Sequence, residues 1–452
     1  MYLQVCLRSR IYRTLAGLTL GIATAIAQTD PGVRGGASGA GGKIAGLTLK
    51  ESKFFDAGLD EFEEVASVLG TFPGTERGLG PRFNLDSCAG CHKFPGIGGS
   101  SPAVNPQFSV APMSQVNPLV TLGIVSANGP VREVRFASDG GVHALFTIMG
   151  RPDTPAGCSI LQPPFAAHSS DLRFRIPTPV FGAGLIEAIP DSAIAALELV
   201  SKPYGITGHA NRSGNDGTIT RFGWKAQNKS LVIFAGEAYN VEQGITNDVF
   251  PDERGEGGVQ DSVQCLVVPS GQDHTNYEQT QPQKLPGNVI SFSNFMRFLA
   301  APTPVTSYTS VNVGAVSAAS ISHGKTLFTS VGCAACHTPA QATGSHDTAA
   351  LANKTANLYS DLLVHNMGLL GDGISQGNAN GNEFRTAPLW GLGQRIFFLH
   401  DGRTTDLVQA IRAHKSAADG TFGASEGNTS VDVFNALPES AKQNLLNFLR
   451  SL

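Results

Sequence analysis

The strongest periodic pattern of apolar residues in the chain lies at 48–69. Its apolar residues recur at steps of three and four positions, with acidic residues between them, and they are Phe54, Phe55, Leu59, Phe62, Val65 and Leu69. This spacing places apolar side chains on one face of a helix. The sequence therefore predicts an amphipathic helix here, followed by a Gly- and Pro-rich stretch at 74–81.

Similar patterns predict a closing helix at 438–452 and a short helix at 322–328 that leads directly into Gly332. The remaining predicted elements are helices at 192–199 and 230–239 and extended segments at 131–136 and 143–149. The predicted fold class is mainly α, with β structure and long loops inserted in the first half.

The chain contains two copies of Cys-x-x-Cys-His, at 88–92 and 333–337. This is the c-type haem attachment motif: two thiols add to the haem vinyl groups, and the adjacent histidine coordinates the iron. Zinc sites or redox Cys-x-x-Cys pairs are the alternative, but two complete matches that use four of seven cysteines favour two covalent haem c groups. The residues so predicted are Cys88, Cys91 and His92 for the first haem and Cys333, Cys336 and His337 for the second.

Residues 1–27 have the organisation of a secretory signal peptide. Three arginines precede an apolar run at 14–27 that ends in Ala25-Ile26-Ala27. The run is too short to span a bilayer comfortably, and no later segment predicts a membrane span. We expect export to the periplasm, which agrees with covalent haem because c-type haem is attached outside the bacterial cytoplasm.

Without 1–27, 29 Lys and Arg remain against 36 Asp and Glu, a net charge of −7. This balance disfavours binding to nucleic acid or to anionic membranes and suits a basic electron-transfer partner. Once Cys6 and the haem cysteines are set aside, Cys158 and Cys265 remain. An even pair in an oxidising compartment predicts a disulfide, with two buried thiols as the alternative.

Composition divides the rest of the chain. Residues 28–45 are rich in Gly, Ala and Ser and predict a flexible linker. An N-terminal haem domain with an insertion is predicted at 46–300, a Pro- and Thr-rich linker at 301–316, and a C-terminal haem domain at 317–452. Each half has the order helix, haem motif, helix, so two class I cytochrome-c-like domains are expected.

Several strings carry a family resemblance. The C-terminal strings, at 359–368, 384–391 and 399–410, resemble the C-terminal half of bacterial di-haem cytochrome c peroxidases. They are still more similar to the related di-haem oxidoreductase family, as are the strings at 177–187, 220–226 and 244–247. The resemblance runs from about Leu47 to the C-terminus.

The resemblance implies an enzyme that reduces a small oxidant such as hydrogen peroxide at the N-terminal haem. Electrons would come from a small redox protein through the C-terminal haem. The alternatives are a di-haem electron carrier without turnover, and a di-haem oxidase of a larger organic or protein substrate. A homodimer and an interdomain calcium, as in the peroxidases, are left open.

The resemblance also implies site residues. His414, fourteen residues after His400, is the expected second ligand opposite His337; Met367 is the alternative, with His365 behind it. His400 itself is expected to hydrogen-bond a propionate or a backbone group. For the N-terminal haem, Trp224 is the expected electron relay between the haems.

Glu242 is the expected acid–base group above the N-terminal haem. The peroxidases have a glutamine ten residues after the tryptophan, where this chain has Phe234, which removes a distal hydrogen-bond donor. Core packing of Trp224 and a surface or capping role of Glu242 are the alternatives. His143 is a further candidate to cap the first haem.

Overall fold

The structure is a computed structural model that describes residues 28–255, 263–266 and 272–452; the predicted signal peptide at 1–27 lies outside the described residues. The chain is mixed and mostly helical, with small sheets. No helix among the described residues is long and apolar enough to cross a membrane. The α-helices are α1 (Leu49–Glu63), α2 (Cys88–Cys91), α3 (Met113–Thr121), α4 (Ala183–Glu187), α5 (Asp191–Glu198), α6 (Leu231–Gln243), α7 (Asn288–Phe298), α8 (Ala318–Ser330), α9 (Leu407–Arg412), α10 (Asn428–Ala436) and α11 (Glu439–Ser451).

The strands are short and pair in small sheets. They are β1 (Val65–Ser67), β2 (Thr75–Arg77), β3 (Arg82–Phe83), β4 (Glu133–Phe136), β5 (Val142–His143), β6 (Phe146–Thr147), β7 (Leu172–Arg175), β8 (Tyr308–Ser310), β9 (Gly314–Val316), β10 (Gln341–Ala342), β11 (Thr355–Ala356), β12 (Val364–Asn366) and β13 (Glu383–Arg385). The largest described sheet has the order β5-β4-β7, with Val134 opposite both His143 and Phe174. Two-stranded pairs form the rest, and β1 with β2 is the parallel one.

Side-chain caps begin the helices that carry the site. Thr48 and Glu51 form a reciprocal capping box at the start of α1. Four further helices start with a side-chain oxygen that accepts a backbone N–H of the first turn, and their caps are Ser87 for α2, Ser230 for α6, Ser317 for α8 and Asp406 for α9. Local sequence therefore fixes where each of these helices begins.

Two helix crossings of the same kind form the cores of the two halves. α1 crosses α7 at Gly58, where a Cβ would collide with the carbonyl oxygen of Ser291. α8 crosses α11 at Gly324, where a Cβ would collide with the carbonyl oxygen of Asn444. Both contacts need the close backbone approach that glycine permits.

Each glycine is followed four residues later by a buried phenylalanine, which lies on the same helix face. Phe62 packs on His92 with ring centroids 6.0 Å apart, and Phe328 packs on His337 at 6.3 Å. The sequence Gly-x-x-x-Phe is thus present at both crossings and places each crossing next to the histidine of one Cys-x-x-Cys-His motif.

The glycine crossing gives a test of the fold. Replacing Gly324 by alanine is expected to lower the free energy of unfolding by about 2 kcal/mol, because overpacking at the backbone contact outweighs the better helix propensity of alanine. Urea unfolding followed by circular dichroism measures the change. Gly214→Ala is the matched control, since no atom lies within 4 Å of a Cβ at that position. Equal stability of the two variants would contradict the close crossing.

Part of the segment 28–45 lies against the C-terminal half. The carboxylate of Asp30 pairs with the buried guanidinium of Arg450 on α11, with Oδ2 2.6 Å from Nη2, and accepts a hydrogen bond from the backbone N–H of Leu407 at 2.8 Å. Asp30 is 6% exposed and Arg450 is 1% exposed. A buried ion pair holds this Gly-rich segment, although its composition predicts a flexible linker.

The two halves of the chain are joined by buried charges. Asp372 accepts hydrogen bonds from Arg175, on β7, at 2.6 and 3.0 Å, and Lys225 Nζ lies 3.3 Å from the same carboxylate. The predicted linker at 301–316 contains the hairpin of β8 and β9. The predicted domain boundaries stay predictions.

The predicted disulfide between Cys158 and Cys265 is present, with Cα atoms 4.6 Å apart. It joins residues separated by 107 positions in the sequence. The other four described cysteines are free thiols, and all belong to the two Cys-x-x-Cys-His motifs.

Candidate functional site: two linked cavities

The first motif is a single helical turn. In α2, Ser87 Oγ accepts the backbone N–H of Gly90 at 3.3 Å, and the turn continues through the hydrogen bond from His92 N to Cys88 O at 3.0 Å. The ring of His92 is oriented by Nδ1, which donates to the carbonyl oxygen of Gly99 at 3.0 Å. Because a carbonyl oxygen can only accept, Nε2 of His92 keeps its lone pair for a metal.

The second motif repeats this arrangement on a 3₁₀ turn at Cys333–Ala335. His337 N donates to Cys333 O at 2.9 Å, and His337 Nδ1 donates to Tyr359 O at 3.0 Å. Burial lowers the pKa of both His92 and His337 to about 4, so both rings are neutral near pH 7. Neutral imidazole is the ligand form.

A cavity of about 1130 Å³ lies above the first motif. Its lining includes the three motif residues and both predicted catalytic residues, Trp224 and Glu242. Phe234, in place of the peroxidases' glutamine, lines the same cavity. His143 is not among its lining residues; that ring stacks on Phe136 at 3.7 Å and bonds Asp139 through Nε2.

A second cavity, of about 1410 Å³, lies above the second motif and is lined mostly by apolar side chains. His414 and Met367, the predicted second ligands, both line it, together with His365 and His400. Each cavity therefore offers free thiols one turn apart, a neutral oriented imidazole and an apolar wall. These residues fit the haem groups that the motifs predict.

His414 has the geometry of a ligand. Its Nδ1 donates to the carbonyl oxygen of Ala410, one turn earlier, at 2.8 Å, which leaves Nε2 available as in His92 and His337. His414 also lies near enough to His337 to lower its pKa, after the larger effect of burial. The two rings thus share one cavity.

The other ligand candidates differ. Both ring nitrogens of His365 face carboxylates, Nε2 towards Asp361 at 3.0 Å and Nδ1 towards Glu426 at 2.9 Å, so none is available for iron. Met367 packs with an apolar cluster that includes Trp224 and stays an alternative to His414.

His400 packs between aromatic rings. It stacks on Phe384 at 4.2 Å and meets the edge of Trp224 at 6.3 Å. Burial lowers the pKa of His400 to about 4. Its side chain lines the second cavity, so a hydrogen bond to a propionate stays a prediction.

Trp224 lines both cavities. Its Nε1 donates to the carbonyl oxygen of Ile176 at 2.8 Å, and its own carbonyl oxygen accepts the N–H of Arg385 at 2.9 Å. Trp224 is therefore held by both halves of the chain, its indole by Ile176 and its backbone by Arg385. Trp224 is a buried packing residue, and it is also the wall that the two cavities share.

Glu242 lies near the C-terminal end of α6, where its half-buried side chain lines the first cavity. Burial, and next the charge of Glu133, raise its pKa to about 8, while a hydrogen bond with Asn84 and the charges of Arg254 and Arg135 act in the opposite direction. The carboxyl is consequently protonated near pH 7. The side chain is half-buried and lines the cavity, so the alternative of a surface or capping role stays a prediction beside the acid–base role.

The sequence did not single out several residues that line the cavities. Glu237 and Gln227 line the first, and Arg385 and Arg395 line the second. Arg385 falls inside a string that carries the family resemblance, so it could have been found there. The others have no local sequence signal, because only the tertiary fold brings them to a cavity.

The calcium expectation has no support in the structure. Carboxylate oxygens of Glu61, Glu64 and Glu76 lie within 4.8 Å of one another, but such a cluster is not by itself a metal site.

Among the solved structures that match the chain are two distantly similar ones. One is hydrazine synthase from Kuenenia stuttgartiensis, with 13% identity, a TM-score of 0.37, and 99% of this chain and 100% of that chain covered. The other is a MauG-like protein associated with microbial copper homeostasis, with 15% identity, a TM-score of 0.28, and 61% and 89% covered. Both are too distant to support a functional inference. None of the curated proteins compared with the chain matches it significantly.

A family model described as "Di-haem oxidoreductase, putative peroxidase" matches residues 164–452. The match covers more than half of the chain and includes the second haem motif, Trp224 and Glu242. The expected family is thereby confirmed, and membership implies two haem groups. This protein belongs to the di-haem oxidoreductase family.

Proposed function

We propose that the protein is a periplasmic di-haem c-type enzyme that reduces peroxide at the first cavity. Electrons would arrive from a small redox protein through the second cavity. One observation carries the proposal: the two cavities share a tryptophan wall but differ in what faces the motif histidine. The second cavity holds another available histidine, and the first holds a protonated carboxyl.

The first cavity offers no second histidine. Among its lining residues, His92 is the one histidine and Met296 the one methionine. Met296 lies on α7, one turn from Phe292, which packs against Phe62 beside His92, so this thioether is on the side of the motif histidine. A haem iron held by His92 would supply a redox centre with a position open to peroxide.

Glu242 would transfer protons in that reaction. Reducing one hydrogen peroxide to two waters consumes two protons and two electrons. A protonated carboxyl whose pKa lies near the working pH can donate its proton to the departing peroxide oxygen, and the carboxylate so formed can take up a proton from the other oxygen or from solvent. Phe234 lines the same cavity and donates no hydrogen bond, so Glu242 is the residue to which the proposal assigns proton transfer there.

Trp224 would carry electrons between the two sites. Its indole is oxidisable and buried, Nε1 donates to the carbonyl oxygen of Ile176, and the backbone carbonyl oxygen of Trp224 accepts the N–H of Arg385. His337 and His414 would hold the second haem iron from two sides, which suits electron transfer since it leaves no position for substrate. The two helix crossings, α1 with α7 and α8 with α11, support reading each half as a cytochrome-c-like domain.

Electron paramagnetic resonance of haem-loaded protein tests the proposal. We expect a high-spin ferric signal, in the fully ferric or the half-reduced state, that disappears on addition of peroxide. His414→Ala should add a second high-spin signal and leave the first unchanged, which assigns the sites. Two low-spin signals that peroxide does not alter would contradict an open iron and favour an electron carrier.

A further inference from the structure

Two arginines that line the second cavity, the buried Arg385 and the half-buried Arg395, form no ion pair with a carboxylate among the described residues. Nε and Nη2 of Arg395 are buried and donate to no acceptor among the described residues. Arg385 donates through Nε to the carbonyl oxygen of Gly223 at 3.0 Å, and it takes part in no ion pair within the described ranges. Burial lowers the pKa of each to about 10, and for Arg385 the charge of Arg395 adds to the effect. Both guanidinium groups therefore stay charged near pH 7.

Two enclosed cations without counter-charge are costly. Taking a charge out of water without a partner costs several kcal/mol per group. Cationic side chains lining the first cavity are arranged otherwise: Arg135 pairs with Glu133 on β4, and Arg175 pairs with Asp372. Arg132 in that cavity has an unpaired Nε, but its charge lies near Asp401. The second cavity is thus the one prepared for an anion.

A haem carries two carboxylates, and the planar guanidinium group is suited to bind a carboxylate through two parallel hydrogen bonds. Two unpaired guanidinium groups match two carboxylates in number and charge. Both arginines also contact Trp224: Arg385 through its backbone N–H at 2.9 Å, and Arg395 with Cζ 5.9 Å from the ring centre. The anion site therefore adjoins the shared wall.

The backbone around Arg395 is fixed. Its carbonyl oxygen accepts a hydrogen bond from Arg450 Nη1 at 2.9 Å, and Arg450 is held by Asp30. Arg385 lies at the end of β13, with Val364 of β12 opposite. The backbone of both arginines, and Nε of Arg385 through Gly223, are consequently held by the fold before any ligand binds.

We propose that Arg385 and Arg395 bind the two carboxylates of the C-terminal haem, and that Arg395, between a haem carboxylate and Trp224, sets the reduction potential of that haem. The proposal rests on the part of the proposed function that places a haem at Cys333 and Cys336. It does not depend on peroxide turnover.

Spectroelectrochemical titration of both haems in the holoprotein tests this assignment. Ferric iron carries one more positive charge than ferrous iron, so removing a nearby cation stabilises the ferric state. Arg395→Gln is expected to shift the reduction equilibrium of the C-terminal haem about tenfold towards ferric, equivalent to about 59 mV for one electron. Arg395→Lys keeps the charge and should shift it much less.

Arg412→Gln is the matched control, because it removes the same charge from the same half at an exposed position. It should leave both potentials unchanged. An unchanged potential in Arg395→Gln, or an equal shift in Arg395→Lys, would overturn the assignment. If Arg395→Gln loses the second haem, retention by Arg395→Lys, measured by mass spectrometry, supports the carboxylate contact, and loss in both overturns it. A failed peroxidase assay with the expected potentials would count against the proposed function alone.

Discussion

Replacing Glu242 by glutamine is expected to lower the turnover of hydrogen peroxide at least a hundred-fold. Glutamine keeps the size of the side chain but cannot exchange a proton, and a positioned acid–base group typically contributes about 10²–10⁴-fold. Steady-state turnover with a chemically reduced cytochrome as donor measures the effect. The potentials of both haems should change far less than the rate.

Glu237→Gln is the matched control. Glu237 is on the same helix and lines the same cavity, but its carboxylate already accepts a hydrogen bond from Asn228 Nδ2 at 2.5 Å. We expect turnover of this variant within a few-fold of the unmodified protein. Equal losses in the two variants would remove the special role of Glu242.

Stability separates a chemical effect from unfolding. The pKa of Glu242 is raised to about 8 in the folded protein, above its value near 4.3 in an unfolded chain. Its contribution to stability is thus fully present below pH ~4.3 and is lost as the pH rises through about 8. Glutamine has no such dependence, so Glu242→Gln should unfold no more easily than the unmodified protein at alkaline pH.

Replacing Asp30 by asparagine is expected to lower the free energy of unfolding by about 3 kcal/mol at pH 7. The variant leaves the guanidinium of Arg450 buried without its counter-charge, and breaking one side of a buried pair costs about that much. Urea unfolding followed by circular dichroism measures the loss. Asp56→Asn is the control, because its pair with Lys43 is exposed and such pairs contribute at most about 1 kcal/mol.

The same ion pair predicts a dependence on pH. Burial alone would raise the pKa of Asp30, but the hydrogen bond and charge of Arg450 outweigh it, so the pKa lies below its ordinary value. The contribution is therefore complete above pH ~3.9 and is lost as the pH falls through the lower folded-state pKa. Asp30→Asn should not show this acid loss. A variant as stable as the control at pH 7 would show that the segment 28–45 is not held by this pair.

Local chemistry explains what the sequence could predict. The Cys-x-x-Cys-His motif predicts the local arrangement of its side chains, because a single turn places both thiols and the histidine at one site. The predicted helices at 192–199 and 438–452 occur as α5 and α11, within one or two residues. The predicted helix at 48–69 ends earlier, at Glu63. Apolar residues continue beyond Glu63 at helical spacing, but there the chain forms β1, which pairs with β2.

Tertiary contacts explain what the sequence could not predict. Gln227 and Glu237 have no local feature that points to a cavity, and the unpaired state of Arg395 depends on which carboxylates the fold brings near. Asp30 lies in a stretch whose composition predicts mobility, yet its partner is 420 positions away. The roles of Trp224, Glu242 and His414 stay predictions, although the structure brings each to the expected cavity.

The repeated Gly-x-x-x-Phe crossing has a consequence for how the two sites can diverge. Each motif histidine is backed by the same small packing unit, although residues 63–87 separate Phe62 from Cys88 and only 329–332 separate Phe328 from Cys333. Because the same packing unit occurs twice, as in an internal duplication, the contacts behind the two motif histidines stay alike. Differences in chemistry then accumulate on the opposite sides, in segments outside the crossing. One haem site can therefore gain or lose an iron ligand or an acidic side chain while the helix crossing that supports the other site stays unchanged.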